Sequence, residues 1–292
     1  MSSTSHWRPL AGVDFVRLRD ARMQAYYAAQ WLARAARGYL PPQPDDGHTN
    51  LGWDNEFDGF TTHTFPDGTR LGLRIRDLTL ALLENGRVTQ SFPLNGRSEA
   101  ETRAWLGELM QARRLSPAAL DTPLPYALPP HALAQGARYD TADLAEPLCE
   151  LAAWYANGFC ALGAIMKRLV ARGLPAPEVR CWPHHFDLDC LTSVANGATG
   201  AAPTMGAGFS PGDQYYEEPY FYISLYPRPE AAALPGLPEL GHWHMEDFLA
   251  ALAPASRIVA LKDRQTETEA FLHSATDEIL KILSGGAART AN

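Results

Sequence analysis

Apolar residues recur at helical spacing in five stretches of the chain. The first stretch ends at Gly38 and the prolines at 41–42, which stop a helix. In the second, Ser98 and Glu101 have the spacing of a capping box, in which each side chain bonds the backbone N–H of the other residue. Helices are therefore predicted at about 14–37, 98–114, 141–172, 245–253 and 267–283.

Runs that are typical of β-strands lie between these helices. The first group spans 59–94 and contains an Asn85-Gly86 hairpin turn. The second group comprises a strand at 179–194, a Gly/Ala-rich loop at 196–213, an aromatic strand at 219–226 and a short run at 242–244. The order predicts an α+β fold of two similar helix–strands–helix halves, each with a small antiparallel or mixed sheet.

A proline-rich segment separates the two halves. Its repeated prolines disfavour helix and remove backbone donors from any sheet. The predicted organisation is an N-terminal α+β half (1–114), a proline-rich connection (115–139) and a C-terminal α+β half (140–292) that carries the site. The string Asn-Glu-Phe-Asp at 55–58 is similar to His-His-Phe-Asp at 184–187, which fits either an internal duplication or chance similarity.

Composition narrows the expected partners to small molecules. The 292 residues carry 25 Lys plus Arg and 33 Asp plus Glu, and this acidic balance without a basic cluster argues against nucleic acid. No run reaches the roughly 18 consecutive apolar residues of a membrane span, so no membrane is expected. The absence of a signal-peptide pattern and of C-x-x-C pairs predicts a cytoplasmic protein with free thiols.

Four of the nine histidines fall in two tight clusters, at 184–185 and at 242 and 244. Because alternate side chains of a strand share one face, three separate segments each present polar groups to one side. If these segments pair in a single sheet, one polar face results. Its members would be His185, Asp187, Asp189, Glu218, Tyr220, Tyr222, His242 and His244.

Two imidazoles and a carboxylate form the ligand set of a 2-His-1-carboxylate metal site. The predicted ligands of a divalent metal are His185, Asp187, His242 and His244, with Fe(II) favoured and zinc or manganese as alternatives. Glu218, Tyr220 and Tyr222 are the predicted catalytic groups, which would act as acids, bases or substrate contacts. The sequence thus favours a metal-dependent enzyme acting on a small organic substrate, by oxidation or hydrolysis.

Two other interpretations of the same residues stay open. The first is a non-catalytic protein that binds a small molecule in a His/Asp/Tyr-lined pocket. The second is a buried polar network that serves only the specificity of the fold. A serine hydrolase is disfavoured although 208–212 reads G-x-S-x-G, because Pro211 has no N–H to offer to an oxyanion. An iron/2-oxoglutarate oxygenase is disfavoured because too few strands surround the histidines.

Four strings carry a resemblance to a known family. They are Trp-Pro-His-His-Phe-Asp at 182–187, Gly-Phe-Ser-Pro-Gly-Asp at 208–213, Glu-Pro-Tyr-Phe-Tyr at 218–222 and Gly-His-Trp-His at 241–244. Together they resemble an uncharacterised family of bacterial proteins of unknown function, over about residues 140–260. The resemblance implies that these segments belong together, and it brings no activity, substrate or metal.

Overall fold

The computed structural model of the protein describes residues 7–12, 14–194, 202–229 and 234–289, with side chains as far as 284. The helices are α1 (Phe15–Tyr39), α2 (Glu99–Ala112), α3 (Ala145–Ala171), α4 (Ala255–Val259) and α5 (Arg264–Arg289). The first group of strands is β1 (Gly52–Asp54), β2 (Gly59–Thr61), β3 (Thr69–Arg74), β4 (Thr79–Glu84) and β5 (Arg87–Pro93). The second group is β6 (Arg180–Trp182), β7 (Asp187–Ser193), β8 (Thr204–Ser210), β9 (Tyr220–Tyr226), β10 (His242–His244) and β11 (Ala250–Pro254).

The predicted α+β class is confirmed. The first sheet has the order β1-β2-β3-β4-β5, and the second has the order β10-β11-β9-β8-β7-β6. Each strand pair whose register is defined is antiparallel. Helices precede and follow each group of strands along the chain, as the predicted helix–strands–helix order requires.

The chain divides into two compact units. Unit 1 comprises Met1–Pro9, Asn157–Val179 and Asp187–Asn292, and unit 2 comprises Leu10–Ala156 and Arg180–Phe186. The chain therefore passes between the units at four points, one of which lies within α3 and another between the turn that follows β6 and the start of β7. The predicted arrangement of 1–114, 115–139 and 140–292 is not tested by this division and stays a prediction.

Local sequence explains the helix starts. The side chain of Asp14 accepts the N–H of Val16 and so caps α1. The predicted capping box of α2 is present, since Ser98 Oγ accepts the N–H of Glu101 at 3.2 Å and the Glu101 carboxylate accepts the N–H of Ser98 at 2.9 Å. These bonds fix where each helix begins, and the apolar face of each helix then decides what it packs against.

Helix α3 is the most apolar of the four long helices. By length and composition it could cross a membrane, with a mean hydropathy of 1.3 in its most apolar window, but 72% of that window is buried inside the protein. This degree of burial is that of the core helix of a soluble protein. The expectation that no membrane is a partner stays a prediction.

The loop predicted at 196–213 is wrong in part, because β8 occupies Thr204–Ser210. Residues 195–201 lie outside the described part of the chain. Glycines at 206 and 208 gave this segment the composition of a loop, yet both are needed in the strand. A Cβ at Gly208 would come within 2.1 Å of the Tyr222 ring, and one at Gly206 would come within 2.4 Å of Ser224 Oγ.

The helix predicted at 245–253 is also wrong. The segment contains strand β11, which lies between β10 and β9 and is buried along its whole length. A strand that is covered on both faces shows no alternation, so a short apolar run such as Leu249–Ala253 does not distinguish a strand from a buried helix.

Candidate functional site

The register of the second sheet gathers most of the predicted polar residues on one face. Directly opposed residues of antiparallel strands point to the same side of a sheet. One such row crosses β7, β8, β9, β11 and β10, and its members are Asp189, Gly208, Tyr222, Leu252 and His242. By alternation, Asp187, Tyr220 and His244 belong to the same face, which lies in unit 1.

His185 does not follow this alternation. The strand predicted at 179–194 is two strands, β6 and β7, separated by a four-residue turn at 183–186. Phe186 in this turn has a left-handed backbone with φ of 57°, which interrupts the regular pleat. His185 therefore lies in a turn of unit 2, and its side chain is not placed with Asp187 by strand geometry.

At β7, two carboxylates and a phenol form a cluster. The Tyr222 ring lies over Gly208 and donates its O–H to Asp187 Oδ2 at 2.7 Å. Asp189 is the next residue on the same face, and its Oδ1 atom is buried with no hydrogen-bond partner among the described residues. Burial, followed by the negative charge of Asp187, raises the pKa of Asp189 to about 7.

At β10, Tyr216 connects the two histidines of the second cluster. His244 Nε2 lies 2.7 Å from the carbonyl of Glu246, so this nitrogen carries the proton and Nδ1 is an acceptor. Tyr216 must then donate its O–H to His244 Nδ1 at 3.1 Å and accept a hydrogen bond from the N–H at His242 Nε2 at 2.9 Å. In this assignment His242 Nδ1 carries a lone pair. The atom is buried and has no hydrogen-bond partner among the described residues.

The other two predicted catalytic groups also have partners inside unit 1. Tyr220 donates a short hydrogen bond to Asp213, and burial, followed by the charge of Asp213, raises its pKa well above the usual range. Glu218 accepts the backbone N–H and the hydroxyl of Ser256 at the start of α4. Glu218 therefore caps a short helix, and its carboxylate is already engaged.

The predicted metal ligands are not assembled into one group. Three strands separate β7 from β10, so Asp187 and the two histidines are about four strand spacings apart along the sheet, roughly 19 Å. Among the residues that the structure describes, no three His, Cys, Asp or Glu side chains form a group that could hold a metal ion. The metal site stays a prediction.

Unit 2 contains a cavity of about 310 Å³, and His184 of the first histidine cluster lines it. Its walls come from α1, the loop that follows α1, the proline-rich connection, and the segment that includes β6 and the turn at 183–186. The lining residues are Ala33, Arg37, Asp45, Asp46, Thr49, Leu124, Pro125, Tyr126, Trp182 and His184.

Three side chains hold the backbone of the turn at 183–186. Gln30 Nε2 donates to the carbonyl of Pro183 at 2.9 Å, and the hydroxyl of Tyr26 donates to the carbonyl of His184 at 3.1 Å. The hydroxyl of Tyr155 donates to the carbonyl of Phe186 at 2.6 Å. Since these donors come from buried residues of α1 and α3, the turn has a single position relative to the helices of unit 2.

Gln30 also fixes the opposite wall of the cavity. Its Oε1 atom accepts the hydroxyl of Tyr126 at 2.9 Å, so a single amide connects the proline-rich connection to the turn. Gln30 is only 2% exposed, and both ends of its amide are used. The two walls of the cavity are therefore connected through a buried amide.

The charges around the cavity leave a small negative excess. Arg37 pairs with Asp46 at 3.2 Å, while Asp45 accepts the N–H of Gly47 at 3.0 Å. His184 keeps an exposed edge. Partial burial of its ring, followed by the charge of His185, nevertheless lowers the pKa of His184 to about 4. Near pH 7 the lining thus carries one guanidinium, two carboxylates and a neutral imidazole.

Comparison of the chain with protein-family models, with curated proteins and with solved structures finds no match. The resemblance carried by the four strings therefore stays a prediction, and the site rests on its own geometry.

The sequence contained a partial signal for this cavity. Gln30 falls on the apolar face of α1, where a polar residue is buried only if its amide is bonded. Tyr126 lies in the proline-rich connection, which was predicted to separate the two halves of the chain and not to line a cavity. Neither position has a motif, and only the tertiary structure brings them together.

We predict that Gln30→Leu destabilises unit 2, because it leaves the Pro183 carbonyl and the Tyr126 hydroxyl without their partner. The expected loss is about 1–3 kcal/mol in the free energy of unfolding, measured by urea denaturation. Gln24→Leu is the matched control on the same helix, where the amide makes two exposed hydrogen bonds with the backbone of Asp140. Equal losses in the two variants would contradict the role given to Gln30.

A second prediction concerns the pH dependence of stability. Because the folded pKa of Asp189 is raised, the folded protein binds this proton more tightly than the unfolded chain, and stability falls as the pH rises from about 4 to about 7. Asp189→Asn removes this ionisation. Relative to wild type, the variant should gain about 1 kcal/mol or more between pH 5 and pH 8 in thermal or urea unfolding.

Asp121→Asn is the control for this experiment. Asp121 is exposed and paired with Arg103, which lowers its pKa, so its replacement should bring no gain at pH 8. Parallel pH profiles for wild type and Asp189→Asn would show that Asp189 titrates normally.

Proposed function

We propose that this protein binds a small organic molecule in the unit 2 cavity, without catalysis. The observation that carries the proposal is the cavity itself, since about 310 Å³ bounded by rings and a few fixed charges is typical of small-molecule sites. This function corresponds to the His/Asp/Tyr-lined pocket expected from the sequence, built from different residues. We also propose a cytoplasmic location, which is supported by four cysteines that are all free.

The hydrogen bonding of the polar face in unit 1 favours the cavity as the binding site. On that face the hydroxyls of Tyr222, Tyr220 and Tyr216 are bonded to carboxylates or imidazoles of the same unit. A ligand would have to displace these internal bonds, as it would have to break the bonds of Glu218 to Ser256. The side chains of the cavity, in contrast, surround an open volume.

The rigidity of the cavity walls also supports binding. The amide of Gln30 is shared between the two walls, and the turn that carries His184 is held by three buried donors. A pocket that is already formed loses little conformational entropy when a ligand enters, so more of the contact energy contributes to affinity.

Leu124→Trp is the variant that tests this function, because a larger side chain at a lining position fills the cavity. Leu191→Trp makes the same change at an exposed position of β7, outside the lining residues, and serves as the matched control. In a fragment screen by ligand-observed NMR, we expect wild type and Leu191→Trp to bind a common set of fragments and Leu124→Trp to lose at least tenfold in affinity for them. Fragment binding that is unaffected by Leu124→Trp would overturn the proposal.

A metal-dependent enzyme is our second candidate, and His242 is the observation in its favour. Its Nδ1 lone pair is buried and has no partner among the described residues, which is the state of an imidazole that awaits a donor or a cation. Burial is also the main cause that lowers the pKa of His242 and keeps the ring neutral, as a ligand must be. His244 would have to release its bonds to Tyr216 and Glu246 before it could join.

Elemental analysis decides this second candidate. Protein purified without an affinity tag or chelator should contain about one equivalent of iron, zinc or manganese, and His242→Ala should lose it. His273→Ala, on α5, is the control and should keep the metal. Absence of metal from wild type, even after anaerobic incubation with Fe(II), would remove the candidate, and a fall in the stability of His185→Ala or Asp187→Ala alone would indicate a structural network.

A further inference from the structure

Three rings line the unit 2 cavity, and the ring of His184 is inclined to each of the other two. The centroids of Tyr126 and His184 are 5.7 Å apart with planes inclined by 48°, and those of Trp182 and His184 are 6.1 Å apart with planes inclined by 73°. Because all three rings line the same cavity, they present aromatic surface to one concave volume. Such surfaces hold the alkyl groups of an organic cation against the negative faces of the rings.

The charged residues of the cavity also favour a cationic ligand over an anionic one. Its single guanidinium, on Arg37, is paired with Asp46 at 3.2 Å. Asp45 accepts only a backbone N–H and forms no ion pair among the residues that the structure describes. An anionic ligand would have to compete with Asp46 for Arg37 and would approach the free carboxylate of Asp45, whereas a cation meets one uncompensated negative charge.

We propose that the ligand of this cavity is an organic cation of the alkylated ammonium class, held by Trp182, Tyr126 and His184 and by the charge of Asp45. The proposal rests on the binding function proposed above and adds the chemical class of the ligand.

Three probes of nearly the same shape separate charge from size. Choline carries a trimethylammonium group, 3,3-dimethylbutan-1-ol replaces its nitrogen by carbon, and 3,3-dimethylbutanoate is the corresponding anion. Titration calorimetry at pH 7.5 should show that choline binds at least about tenfold more tightly than the alcohol, with the carboxylate weakest.

Two variants test the two parts of the site. Trp182→Leu removes a ring and should weaken choline at least fivefold more than the alcohol. Asp45→Asn removes the free charge but keeps the oxygen that accepts from Gly47, so the fold should be intact and the preference for choline over the alcohol should fall by at least threefold. Asp121→Asn, an exposed carboxylate in the same unit outside the lining residues, should leave all three affinities unchanged.

The outcomes distinguish the ligand class from the binding function. If the alcohol binds as well as choline, or the carboxylate binds better, the cation assignment is wrong while the cavity remains a binding site. The same conclusion holds if fragments that Leu124→Trp excludes are bound but none of the three probes is. If neither fragments nor probes bind, the proposed function itself has failed.

Discussion

The hydrogen bonds that hold the turn at 183–186 are the constraint on which unit 2 depends. This turn carries both histidines of the first cluster, and a four-residue loop between two strands would ordinarily be exposed and variable. Here Gln30, Tyr26 and Tyr155 each donate to one of its carbonyls. Because these donors are fixed by the packing of α1 and α3, His184 has a defined position at the cavity instead of a mobile one.

The same kind of turn occurs earlier in the chain with different support. Between β1 and β2, the N–H of Asp58 bonds the carbonyl of Asp54 at 2.9 Å, as the N–H of Phe186 bonds that of Trp182 at 2.7 Å. Asp58 and Phe186 both have a left-handed backbone, with φ of 62° and 57°. Asp adopts this conformation readily, whereas a bulky residue such as Phe is an outlier there. Buried ring contacts around Phe186 and the bonds to its turn offset that cost.

This comparison also shows how much of the structure could be predicted from the sequence. The strings at 55–58 and 184–187 match on their phenylalanines, but the equivalent turn positions are Asp58 and Phe186, one residue out of step. Helix starts and the hairpin at Asn85 were predictable because capping and turn chemistry are local. Strand β8 was not predictable, because its glycines resemble those of a loop until Tyr222 is seen to pack over Gly208. Strand β11 was not predictable, because an apolar strand that is covered on both faces shows no alternation. The cavity was not predictable either, since Gln30 and Tyr126 meet only in the folded chain.

The two histidine clusters differ in what surrounds them, and this difference supports the roles that we propose for them. Around His242 and His244, Tyr216 uses its hydroxyl twice, and most of the polar atoms are bonded to one another. Such a network fixes the geometry of a sheet face, and its buried groups are costly to disturb. Around His184 the bonds run to the backbone of the turn, so the ring itself stays free to face a volume. A binding site needs side chains whose positions are fixed by bonds made elsewhere, and the His184 turn meets that condition.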